Sequence, residues 1–320
     1  MTETLGAPPE NNVPAAAPAS DGRRPVTCHA PIRRVVVLVN PMSGGVGANA
    51  AADARDLLAG FACESEVVLL EGDDMGGTMD RVLSGGADLV VVLAGDGTAR
   101  AVASRAGPDG PLVAPLPGGT MNMLPKALYG TTDWKKALNI ILEDGEPQHV
   151  SGGEVDGNAF YCAAILGAPA LWAPAREALR GGKLKLALTH ARRAWRRAFS
   201  GRIRFSLDGA PRQRAEALVL ISPMISRALE EPVGLEAAAM NPHDASDAFR
   251  LAAHALFDDW RHDPAVKTQS ARRIRVSARS RVPAVLDGEP ILLPADSTIR
   301  FLPRAFRALA PRPPAAEDTV

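Results

Sequence analysis

Aromatic side chains are scarce: Phe, Trp and Tyr together supply only 4% of the sequence. So thin a supply argues against a base-stacking surface for single-stranded nucleic acid. Net charge is lacking too, because 36 Lys and Arg are balanced by 36 Asp and Glu. The whole molecule therefore has no overall field with which to gather a polyanion, and no nucleic-acid partner is expected. Only three cysteines occur, Cys28, Cys63 and Cys162, far apart and without metal-type spacing. That excludes a disulfide framework and fits a reducing compartment. The six histidines form no HxH or HxxxH pair, which removes the usual zinc arrangements. No apolar run approaches the roughly 18–20 residues of a membrane span. The Ala- and Pro-rich stretch 1–31 lacks a hydrophobic signal core and reads as a disordered lead, so a cytoplasmic location is expected.

What the chain does hold is apolar bulk, 46% of 320 residues, enough for two domains of ordinary size. Its organising stretch is Val90-Val91-Val92-Leu93-Ala94-Gly95-Asp96-Gly97-Thr98. A β-branched run suited to a buried strand meets a loop with little side chain beyond one carboxylate and one hydroxyl, and a helical segment follows from Ala99. Glycines let backbone N–H groups approach a ligand closely, and a helix N-terminus adds partial positive charge. Such a loop suits phosphate, and Asp96 then suits a cation shared with the phosphates. The plain alternative is an ordinary strand-to-helix turn with a cap.

Two similar loops flank it. Val35–Val39 runs into Asn40-Pro41-Met42-Ser43-Gly44-Gly45, and Pro111–Leu116 opens into Pro117-Gly118-Gly119-Thr120-Met121-Asn122. Strand, loop and helix alternate over 31–130, the pattern of a parallel sheet clothed in helices. Right-handed crossovers line up the strand C-termini, so all three loops should meet at one edge. From Gly145 the pattern changes to short apolar runs separated by Asp156-Gly157, Asp208-Gly209 and Asp287-Gly288, which are hairpin signals. The expected architecture is an α/β N-terminal domain (32–145) followed by a mainly antiparallel β C-terminal domain (146–307), with a frayed tail over 308–320.

The three loops occur in the order and spacing of the diacylglycerol kinase catalytic-domain family, which includes bacterial lipid kinases and sphingosine kinases. Asp287-Gly288-Glu289 also resembles that family's C-terminal signature. The resemblance implies transfer of the γ-phosphoryl group of ATP, with magnesium, to a lipid hydroxyl, in phospholipid metabolism. It implies that Asn40, Ser43, Gly44, Gly95, Asp96, Gly97, Thr98, Gly118, Thr120 and Asn122 hold the nucleotide. It further implies that Asp96 organises the magnesium, that Asp287 accepts the hydroxyl proton and that Glu289 supports it. The chain departs from the family at Ala94, where glycine is usual, at Gly167–Trp172, and at Asn241–Asp247, which lacks the glycine of a structural metal loop.

Between Arg176 and Arg204 lie ten Lys and Arg against one acid, Glu177, interleaved with Leu184, Leu188, Trp195 and Phe199. Such a basic amphipathic helix can rest on an anionic membrane surface and meet a lipid substrate there. A solvated face of a packed helix is the competing reading. Two rival functions remain open: a kinase of a soluble substrate, resembling NAD kinase, and a nucleotide-binding regulator without catalysis. A homodimer is also left open.

Overall fold

The computed structural model describes residues 26–28, 30–167, 203–226, 233–240 and 266–312. The basic stretch 176–204 lies outside these residues apart from its last two, and so do Asn241–Asp247 and the helical segment expected over Ser246–Asp259.

The first half alternates as its pattern dictates. In order come β1 (Arg34–Val39), α1 (Ala50–Leu58), β2 (Glu64–Leu69), α2 (Met75–Ser84), β3 (Leu89–Ala94), α3 (Asp96–Ala106), β4 (Leu112–Pro117), α4 (Met123–Tyr129) and α5 (Trp134–Asp144). The four strands pair in parallel in the order β2-β1-β3-β4. β1 and β3 are central and covered on both faces, which is why they read as unbroken Val/Leu runs instead of alternating. Val35, Val37, Leu89, Val91 and Leu93 face one core with α1 and α5. Val36, Leu38, Val90 and Val92 face the other, which also takes in Tyr161 and Phe306 from the second half.

The second half continues with β5 (Gly145–Val155), β6 (Asn158–Phe160), β7 (Ala163–Gly167), β8 (Ile203–Leu207), β9 (Gln213–Ala215), β10 (Ala217–Ile221) and β11 (Leu235–Met240). It closes with β12 (Val266–Ala271), β13 (Arg273–Ser277), β14 (Val282–Leu286), β15 (Glu289–Leu293) and β16 (Asp296–Pro311). Six of these form an antiparallel sheet in the order β12-β11-β10-β7-β14-β15. β8, β13 and the start of β16 face it across a shared core that includes Phe205, Ile274, Ile299, Leu166, Leu218 and Leu286. The Asp-Gly pairs are turns as expected. Asp156, Asp208 and Asp287 take φ of 49°, 47° and 47°, and each following glycine is also at positive φ, the conformation that favours Asp-Gly in two-residue hairpin loops.

The sequence reading had a short run at Thr298–Phe301 where β16 lies but missed the strand's continuation to Pro311. The first part of β16 pairs with β13, with Thr298 opposite Arg275, and from Ile299 to Pro311 its other edge pairs antiparallel with β5. Ala308 also meets Val113 of β4 in parallel. One ten-stranded sheet thus runs through both halves of the chain. The register shifts between Leu302 and Phe306, around Pro303, which has no N–H to donate to a ladder. The tail expected to fray from 308 is therefore corrected as far as Pro311. Ala308, Leu309 and Ala310 are buried, and apolar contact with the first core outweighs the Pro-rich composition. The lead is corrected as well at its end: Val26 bridges Phe61, and Cys28 and Ala30 are buried in the same core. α3 begins at Asp96, three residues before the expected Ala99, because Gly95 caps it in extended conformation.

Leu309→Ala should lower the free energy of unfolding by about 2–5 kcal/mol, the usual cost of truncating a fully buried leucine. Chemical denaturation would measure it, and an unmoved midpoint would return these residues to a frayed tail.

Candidate active site

The three glycine loops lie at the C-terminal ends of β1, β3 and β4 and are tied directly to one another. Asn40 Oδ1 accepts the Met42 N–H at 3.0 Å, while its Nδ2 donates to Thr98 Oγ1 at 3.3 Å. Ser43 Oγ accepts the Gly95 N–H at 3.0 Å. Gly45 N–H donates to the Gly118 carbonyl at 3.0 Å. Asn122, in the left-handed region at φ 49°, closes the third loop on itself. Its Oδ1 accepts the Gly119 N–H at 2.8 Å, and its Nδ2 donates to the Gly119 carbonyl at 3.0 Å. The side chains of Asn40 and Ser43 thus tie the first loop to the second, and that of Asn122 shapes the third.

Three glycines, Gly45, Gly118 and Gly119, are dictated by this close approach. A Cβ on Gly119 would lie 2.8 Å from Gly95 Cα, and one on Gly45 would lie 2.9 Å from the Gly119 carbonyl oxygen. Gly44 differs: open space surrounds its missing Cβ, and its N–H makes no hydrogen bond among the described residues. Gly97 and Thr98, in the first turn of α3, add N–H groups with no partner inside the helix. An acceptor-rich, negatively charged group fits these donors.

Asp96 links the second and third loops. Its Oδ2 accepts the Asn122 N–H at 2.8 Å, and the N–H groups of Met123 and Leu124 also act on the carboxylate. Burial nevertheless wins and raises its pKa above the ordinary carboxylate range. Oδ1 is buried and has no hydrogen-bond partner. A buried carboxylate oxygen without a donor is costly, and a hydrated cation supplies what it lacks. Magnesium fits this donor set, since it is commonly held by one or two carboxylates with phosphates and water completing its shell. No cluster of three or more His, Cys, Asp and Glu suited to a metal occurs among the described residues, so Asp96 would share the ion with its ligand.

The β14–β15 hairpin reaches the loops from the second half. Asp287 is 6% exposed. Its Oδ1 accepts the N–H groups of Cys162 and Ala163 at 2.8 and 2.9 Å, and its Oδ2 accepts that of Tyr161 at 2.7 Å. One lone-pair direction on Oδ2 is left for a further donor. Burial raises the Asp287 pKa against those three hydrogen bonds and the nearby Arg100 guanidinium. Arg100 Nη1 donates to the Leu286 carbonyl at 3.1 Å, fastening the hairpin to α3. Glu289 is exposed, with Oε1 only 3.4 Å from where a Cβ on Gly97 would stand. Burial, and after it the charges of Asp287 and Asp96, push the Cys162 thiol pKa up. Sequence reasoning missed the three N–H donors and Arg100. The donors carry no side-chain signature, but Arg100 lies one helical turn after Asp96 and so on the same face.

Loops with free N–H groups on a parallel sheet, a buried carboxylate with an unpartnered oxygen and a second carboxylate delivered by a β hairpin make up the candidate site. Residues 34–155 match the family model of the diacylglycerol kinase catalytic domain. None of the curated proteins matches the sequence. Among solved structures, a diacylglycerol kinase from Bacillus anthracis str. Sterne superposes with a TM-score of 0.64 at 14% identity, covering 88% of this chain and 98% of its own. Two further crystal structures from that organism, provisionally named diacylglycerol kinases, give TM-scores of 0.69 and 0.67 at 17% identity. They cover 88% of this chain and 99% and 98% of theirs. At these identities the structures show a shared fold.

Gly119→Ala should force the second and third loops apart and abolish nucleotide binding, whereas Gly44→Ala should fold and leave the loops in place. Titration with a fluorescent ATP analogue would read the difference, and equal binding by both variants would contradict the packing argument. Asp287→Asn should keep ATP binding and lose turnover. In the unsubstituted protein, turnover that needs ionised Asp287 should fall as pH drops through its raised pKa. The acid limb should therefore lie above the ordinary carboxylate value of about 4. A pH–rate profile checks this, and a limb at or below that value would remove Asp287 from the base role.

Proposed function

We propose that the protein is an ATP-dependent lipid kinase that transfers the γ-phosphoryl group to a hydroxyl of a diacylglycerol- or sphingoid-like lipid. The observation that carries this reading is the buried, unpartnered Oδ1 of Asp96 beside loops whose free N–H groups suit phosphate, faced by Asp287 and Glu289. The family match over 34–155 supports kinase chemistry.

In this reading the Gly44, Gly97 and Thr98 N–H groups receive phosphate oxygens, and the N-terminus of α3 adds favourable partial charge. Magnesium, held by Asp96, would neutralise charge on the phosphates when bound. Asp287 accepts the proton of the lipid hydroxyl on the remaining lone pair of Oδ2. The hydroxyl oxygen then forms the new bond to the γ phosphorus as the bond to the β–γ bridging oxygen breaks and ADP leaves. Phosphoryl transfer depends mainly on positioning and charge neutralisation, so one base and a rigid cradle suffice. Glu289, on the exposed side of the hairpin, adds a polar group at the mouth of the cleft. No helix among the described residues is long and apolar enough to cross a membrane, so in this reading the lipid is met at a membrane surface. The basic stretch 176–204 is the proposed means of contact.

Transfer of radiolabel from γ-labelled Mg·ATP into an extracted lipid mixture tests the reading, with Asp96→Ala as control. Label in the organic phase, reduced at least about a hundredfold in the variant as for loss of an electrostatic group in a reaction centre, is expected. Label confined to the aqueous phase would replace the reading by a kinase of a soluble substrate. ATP binding without transfer would leave a nucleotide-binding regulator.

A further inference from the structure

A second polar site lies away from the loops, on the outer face of the sheet formed by β8, β13 and the first part of β16. It is a groove of about 230 Å³ lined by Arg204, Arg212, Arg275, Ser206, Ser277 and Thr298. The register explains the composition. Thr298, Arg275 and Ser206 stand side by side across three strands, and Asp296, Ser277 and Arg204 form the next row. The alternating residues, Phe205, Ile274, Val276 and Ile299, point into the core, so the guanidinium and hydroxyl groups are driven outward. The row on the other side sets Arg273 opposite Arg300, with Glu154 as Arg300's other neighbour, and widens the basic surface.

These arginines differ from the others in what they touch. Arg34, Arg105 and Arg312 pair with Glu66, Asp80 and Glu146. The side chains of Arg204, Arg212 and Arg275 have no ion pair or hydrogen bond among the described residues, although Asp296 lines the same groove. Three unpaired guanidinium groups against one carboxylate leave a site with a positive excess, and the hydroxyls of Ser206, Ser277 and Thr298 add hydrogen-bonding capacity. Planar guanidinium forks combined with hydroxyls match the tetrahedral oxygens of phosphate. Among the described residues Phe205 is the only aromatic that lines the groove, and it faces the core instead of offering a platform for a base. Its volume is below the roughly 300–1,000 Å³ of pockets that enclose a drug-sized ligand, and so suits a headgroup.

We propose that this groove binds a phosphate ester, separately from the nucleotide loops. The β14–β15 hairpin that carries Asp287 and Glu289 belongs to the sheet on the opposite side of the shared core, so occupancy of the groove adds a contact that the catalytic cleft does not use. The phosphate can come from a phospholipid headgroup or from a small soluble compound, and the experiment separates the two. The double variant Arg204→Gln/Arg275→Gln and the single variant Asp296→Asn are compared with the unsubstituted full chain. The probes are flotation on phosphatidylcholine vesicles, on equimolar phosphatidylcholine–phosphatidylglycerol vesicles, and calorimetric titration with inorganic phosphate. For a headgroup site, the double variant should lose about fivefold per arginine in binding to the anionic vesicles only, and Asp296→Asn should bind them more tightly. For a soluble ligand, the same opposite changes should appear in the phosphate titration instead. Binding by both variants that equals that of the unsubstituted chain with all probes overturns the proposal. All three substitutions are at exposed positions, and the tightening expected of Asp296→Asn cannot arise from misfolding.

Discussion

The carboxylate of Asp287 and the three backbone N–H groups that converge on it hold the arrangement together. Tyr161, Cys162 and Ala163 end a short connection between β6 and β7, where their N–H groups would otherwise be buried without partners, a cost that few folds bear. Asp287 satisfies them all from the tip of the β14–β15 hairpin, and its own N–H donates back to Ala163. The hairpin cannot move without breaking this set. Because Arg100 and Met121 contact the same hairpin, the second sheet is locked to the glycine loops. The other Asp-Gly turns use the same device without the chemistry. Asp208 accepts from the Arg272 and Arg273 N–H groups, and Asp156 accepts from the Ser297 hydroxyl. What distinguishes Asp287 is its burial beside the loops and the Glu289 that follows it.

β16 supplies the second constraint. By pairing with β13 at one end, with β4 at the other and with β5 along most of its length, it makes the two halves share a sheet instead of resting on a linker. Phe306 then packs edge-on against Tyr161 at 4.9 Å between ring centres, directly behind the N–H groups that hold Asp287. The hydrophobic effect that seats the end of the chain thus also fixes the backbone that positions a candidate base. A cleft built this way is rigid in its walls, as a site that works by positioning requires.

Much of this was legible in the sequence because it rests on local rules. Val35–Val39 and Val90–Leu93 read as buried strands, the glycines after them as loops suited to a ligand, and Asp-Gly marked three hairpins. What stayed hidden depends on pairing between distant segments. Nothing in Arg304–Pro311 announces that it will meet Val113, since a Pro- and Ala-rich composition reads as tail until the partner strand is known. The donors to Asp287 are backbone atoms, which no residue type advertises. Asn40, Ser43 and Asn122 were read as ligand groups because amides and hydroxyls at strand ends suit ligands. In the fold the Asn40 amide nitrogen and the Ser43 hydroxyl reach the second loop, while the Asn122 side chain closes its own.

The two buried carboxylates also differ in a way that helps divide their roles. Asp287 has its charge spread over three N–H groups and an adjacent guanidinium, so it can stay in place with or without a ligand. Asp96 has a donor on one oxygen and none on the other. Burying that second oxygen alone is unfavourable by about 1–3 kcal/mol or more, a cost removed when a cation binds. An asymmetry of this kind makes the cradle more stable loaded than empty, by linkage between binding and folding. It also supports reading Asp96 as the group that answers to the cation and Asp287 as the one that answers to the acceptor. Both carboxylates have raised pKa values, which makes their ionisation sensitive to the positive charge a bound cation would add.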